Sequence, residues 1–75
     1  MIHQFSLGGF HITVDVYSGV VHVTDKEGME AIRLCENLSK KEAGKVLLAK
    51  GFDAKSTRQT LEQIEGLKKE GQLYA

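Results

Sequence analysis

The side chains of this sequence that could do chemistry are few: His3, His11 and His22, the single thiol of Cys35, the pair Gly8-Gly9, and the polar run Ala54-Lys55-Ser56-Thr57-Arg58-Gln59-Thr60. Three imidazoles could ligate a metal or carry protons, but their spacing matches no ligand pattern. Each falls where the chain reads as strand and an imidazole can sit at the surface. A lone cysteine excludes an intramolecular disulfide and a cysteine-built zinc or iron–sulfur site within the chain. Cys35 stands at helical spacing from Ile32 and Leu38, the place of a small packed hydrophobe rather than a reactive thiol. Gly8-Gly9 lacks the strand-to-helix context and the downstream Lys-Ser/Thr of a phosphate loop. No serine, histidine and carboxylate grouping stands out as a nucleophile with its base. The expectation is a binding module with no catalytic residue, no metal ligand and no cofactor of its own.

The elements that must position these residues follow from periodicity. Phe10, Ile12, Val14 and Val16 alternate with His11, Thr13 and Asp15, a period of two that predicts a strand. A shorter extended run, Ile2 to Leu7, precedes it across Gly8-Gly9, and Tyr17-Ser18-Gly19 turns the chain into Val20-Val21-His22-Val23-Thr24. The result is a three-stranded antiparallel meander. Its alternation implies that one sheet face is dry, and the short helices that follow should draw their stability from packing on the sheet.

At Asp25 the period changes to Met29, Ile32, then Cys35 or Leu38, so Asp25 is expected to cap a helix. Ser39-Lys40-Lys41-Glu42 reads as a capping box for a second helix running to about Lys50, with Val46, Leu47 and Leu48 on its core face and Gly51 at its end. Asp53 or Ser56 starts the last helix, whose stripe is Leu61, Ile64 and Leu67, with Gly71 at its end and Leu73 and Tyr74 returning to the core. The second and third helices, joined by Gly51-Phe52-Asp53, suggest a helix-turn-helix. The fold class expected is α+β, a three-stranded antiparallel sheet followed by three helices (βββααα).

Seventy-five residues allow one small core and one domain spanning residues 1–75. Ten basic residues balance ten acidic ones, so no net field attracts nucleic acid or an anionic membrane. The lone cysteine and the absence of a long apolar run or signal-like start point to a cytoplasmic setting.

Two binding surfaces are legible. The polar start of the last helix has residue types that contact DNA, although Glu62 and Glu65 on the same helix and the zero net charge weigh against it. The third strand, Val20 to Thr24, is outermost in the meander and lacks the charge or proline that usually protects an edge. A partner strand could satisfy its unpaired backbone groups. The competing cover is the segment Gln72 to Ala75 or a second copy of the chain.

The opening Met-Ile-His-Gln-Phe, the hairpin GGFHITVDVYSGVVHVTD, two helices and a long third helix ending EGQLYA together resemble a known domain. It is the N-terminal precursor-peptide recognition element of radical S-adenosylmethionine maturases that form thioethers in the six-cysteines-in-forty-five-residues peptide family. The most specific stretch is Asp15-Val16-Tyr17-Ser18-Gly19-Val20-Val21-His22-Val23, while the helices resemble the family in pattern more than in particular residues.

The resemblance implies a winged helix-turn-helix-like element that binds the leader region of a ribosomally made precursor peptide. The leader would add as a strand beside Val20, Val21, His22, Val23 and Thr24, in a cleft whose opposite wall draws on Arg58, Leu61, Glu62, Glu65 and Lys69. It implies as partners the leader peptide and a maturase catalytic domain, with neither nucleic acid nor membrane. The S-adenosylmethionine and iron–sulfur clusters of such enzymes would belong to that catalytic domain, so the chain is expected to be the N-terminal part of a longer maturase. The alternative expectation is a winged-helix DNA-binding domain.

Overall fold

In the computed structural model, which describes residues 2–73, the chain forms β1 (Ile2–Leu7), β2 (Phe10–Asp15), β3 (Val21–Thr24), α1 (Lys26–Cys35), α2 (Lys40–Ala49) and α3 (Ala54–Lys69). This is the α+β order expected, βββααα. The sheet order is β1-β2-β3, and both pairings are antiparallel. Gly8 and Gly9, at φ 57 and 84, make a two-residue turn between Leu7 and Phe10, a conformation that side chains with a Cβ resist. No helix among the described residues is long and apolar enough to cross a membrane.

Side-chain caps set the helix starts. Asp25 Oδ1 accepts from Gly28 N at 2.7 Å, and Ser39 and Glu42 form the full reciprocal capping box. Asp53, rather than Ser56, caps α3 by accepting from the backbone N–H of Lys55 and Ser56. Gly51, at φ 96, ends α2 where a left-handed residue is needed, and Phe52 lies partly buried against the core.

The core lies mainly among the helices. Ala31, Ile32, Ala43, Leu47, Leu61 and Ile64 are buried, and Leu73 returns to seal them. Tyr74, expected beside Leu73, lies outside the described residues. Leu48 departs from its expected place on the core face: it is 48% exposed. Ala43 and Leu47, four residues apart, fix the buried side of α2, and Leu48 is turned about 100° from Leu47.

The sheet departs further from its pattern. Helix α1 packs on one face of it, but that face carries Gln4, Thr13 and Asp15, with Thr13 and Asp15 fully buried. The register places Phe5, Ile12 and Val23 in one cross-strand row on the opposite face, with Val14 and Val21 in the next. The polar face can be dry because its hydrogen bonds are made internally. Gln4 Nε2 donates to Thr13 Oγ1 at 3.1 Å and to the Met29 carbonyl at 2.6 Å, joining β1 and β2 to α1. Asp15 accepts from Tyr17 N and from the Ser18 hydroxyl, both at 3.0 Å.

Candidate strand-edge site

The Asp15 N–H donates to the Val20 carbonyl at 3.0 Å, and the pairing continues through Thr13–His22 and His11–Thr24. In an antiparallel pair the residues point their backbone groups alternately toward and away from the neighbour. Val20, His22 and Thr24 therefore turn theirs to β2, while Val21 and Val23 turn theirs outward. No described residue bonds the backbone of Val21 or Val23.

Helix α3 packs against α1 and α2, and it is tied down at its start and just beyond its end. At its start, buried Glu27 in the first turn of α1 accepts from the Ser56 hydroxyl and, at 2.8 Å, from Thr57 Oγ1. At its far end, the Gln72 carbonyl accepts from His22 Nε2 at 2.9 Å, which places the ring proton on Nε2. The Ser18 hydroxyl is 3.2 Å from the same carbonyl and shares one proton between it and Asp15. The described part of the tail thus meets the side chains of His22 and Ser18 through its Gln72 carbonyl, buries Leu73 in the core, and makes no bond to the outward backbone groups of β3; Tyr74 and Ala75 lie outside the described residues.

The expected site residues separate into two groups. β3 is an outer strand of the sheet, but it spans Val21–Thr24, with Val20 just before it rather than within it. Arg58 and Leu61, however, border α2: they line a cavity of about 510 Å³ together with Lys40, Lys45 and Leu48, and Leu61 is itself buried in the core. At 100° per residue, Glu62, Glu65 and Lys69 continue the Arg58 stripe. The flank of α3 turned away from α2 carries Ser56, Thr60, Gln63 and Leu67. The Ser56–Glu27 bond turns the start of that flank toward α1, and Leu67 packs against the core. The helical stripe was legible in the sequence, but the side of α3 facing α1 depends on the long-range tie from Glu27. No ion pair joins Arg58, Glu62, Glu65 and Lys69 to one another among the described residues.

No protein-family model matches the chain, and no curated protein matches it.

The other chemistry-bearing residues have structural surroundings. His11 Nδ1 lies 3.1 Å from the Ser6 hydroxyl, His3 is exposed on β1, and no group of three His, Cys, Asp or Glu converges among the described residues. Cys35 is buried, and loss of hydration pushes its thiol pKa up, away from the reactive thiolate. Glu27, the buried carboxylate that positions α3, was missed: its only sequence signal is an acidic residue two places after a helix cap.

Proposed function

We propose that the chain binds an extended peptide by strand addition at β3, and that this peptide is the leader of a ribosomally made precursor presented to a radical S-adenosylmethionine maturase. The observation that carries this reading is the outward backbone of Val21 and Val23, which no described residue bonds. A strand of only four residues offers two outward positions, so main-chain bonding supplies a short anchor, and the α3 flank of Ser56, Thr60, Gln63 and Leu67 supplies side-chain selection. β1 is the other outer strand, but α1 packs against β2 and β3. The resemblance of Asp15 to Val23 to the maturase recognition element supports the choice of peptide class. The mechanism is tethering: a bound leader raises the effective concentration of the core peptide at a neighbouring active site.

Val23→Pro tests the reading sharply, because the Val23 N–H points away from β2. Proline there removes an outward donor without removing a β2–β3 bond. Titration with a synthetic leader peptide, followed by backbone chemical shifts, is expected to move Val21 to Thr24 and the Ser56-to-Leu67 flank, with affinity at least tenfold weaker in Val23→Pro. Shifts confined to α2, or equal affinity in the proline variant, would refute it.

A second reading, winged-helix DNA binding, gains one observation: Lys40, Lys41, Lys45 and Arg58 surround the α2–α3 cavity. It requires duplex affinity that falls steeply with salt and weakens on Arg58→Ala. Leader binding at β3 would be unaffected by that substitution.

A further inference from the structure

The sheet face opposite the helices has no cover among the described residues. Phe5, Leu7, Phe10, Val21 and Val23 are 47 to 67% exposed there, although the sheet has a second face that could have buried them. Small proteins seldom leave a contiguous apolar patch of this kind without a partner. We propose that it is a self-association surface, on which two copies stack outer face to outer face as a β-sandwich about a two-fold axis.

Three observations favour a second copy as occupant. A two-fold interface lays a patch against itself, so any charge near its centre meets its like. This face has no Asp, Glu, Lys or Arg among its strand residues, with His3 the polar member at its margin. Second, the exposed side chains offer on the order of 600 Å² per copy, or about 1,200 Å² in total, the lower bound for a specific interface. Third, the chain is a slab of 30 × 30 × 17 Å with helices on one side only. Stacking sheets about 10 Å apart gives a four-layer particle whose apolar rows lie inside. The face is perpendicular to the β3 edge, so the inference does not rest on the peptide-binding reading and both surfaces can be occupied together.

Sedimentation equilibrium of the full chain from micromolar to millimolar concentration tests it. A monomer–dimer equilibrium is expected. Leu7→Lys and Phe10→Lys, at the β1–β2 turn, should each weaken it at least tenfold while leaving the circular dichroism spectrum unchanged. If one variant fails to fold, the other and Val16→Lys decide the matter. Val23→Pro keeps most of the apolar face and should reduce dimerisation less than Leu7→Lys does. A chain monomeric throughout, a dimer indifferent to all the lysine substitutions, or one abolished by Val23→Pro alone would overturn the proposal, the last by showing edge-to-edge pairing.

Discussion

The two faces of the sheet invert the usual relation between residue type and burial. Thr13 and Asp15 are sealed beneath the helices, whereas Phe10 and Val16, on the same stretch of chain, are more than half exposed. Burial of a polar residue is costly only while its hydrogen bonds go unmade. Here Gln4, Tyr17 and Ser18 make them. The difference teaches that alternation reports the existence of two faces, while the partners available to each face determine which one the helices cover.

The largest expected effect comes from breaking the buried polar face. Asp15→Ala removes the acceptor for Tyr17 N and the Ser18 hydroxyl and leaves a buried gap, a loss of about 3 kcal/mol in urea-unfolding free energy. Asn at the same position retains one acceptor and should recover part of it. Leu7→Lys, on the outer face, should change monomer stability by no more than about 0.5 kcal/mol at concentrations where association is negligible. Equal losses at the two positions would erase the proposed distinction between the faces.

Turns and caps were legible because their chemistry is local. Gly8-Gly9, Asp25 and the Ser39–Glu42 box each act over two to four residues, and each stands where the sequence places it. The inverted sheet was not legible, since Gln4 reaches Met29 across 25 positions. The side of α3 turned to α1 was hidden for the same reason: Glu27 meets Ser56 and Thr57 at separations of 29 and 30. The open edge of β3 was accessible from strand order alone, and its outward residues, Val21 and Val23, needed the register.

A smaller effect probes how tightly the covered side is drawn to β3. A Cβ placed on Gly28 would lie 2.8 Å from Thr24 Cβ, so the first turn of α1 packs on the end of the strand at a distance only glycine allows. Gly28→Ala improves helix propensity by about 1 kcal/mol but forces strand and helix apart. A net loss of about 1–2 kcal/mol is expected, together with chemical-shift changes at Thr24 and Val23. A stabilised variant would mean that the two elements yield readily at this point.

A further small effect extends the comparison to two carboxylates on α1. Glu27 is buried and held by hydroxyls, whereas Glu30 lies nearer the surface, where it accepts from Lys50 Nζ at 2.7 Å and Arg33 at 2.8 Å. The hydrogen bond from Lys50, then that from Arg33, holds the Glu30 pKa below its ordinary value of 4.5. A carboxylate with a depressed folded pKa contributes stability above its unfolded pKa and loses it as pH falls through the folded value. Because all three groups remain solvent-accessible, Glu30→Gln should cost less than about 1 kcal/mol near neutrality, and salt should diminish that cost. The gap between Glu30→Gln and the parent chain should close only in acid, below the ordinary Glu pKa, because there the parent has lost the same charge. A gap that persisted unchanged in strong acid would assign the contribution of Glu30 to packing rather than to its ion pairs.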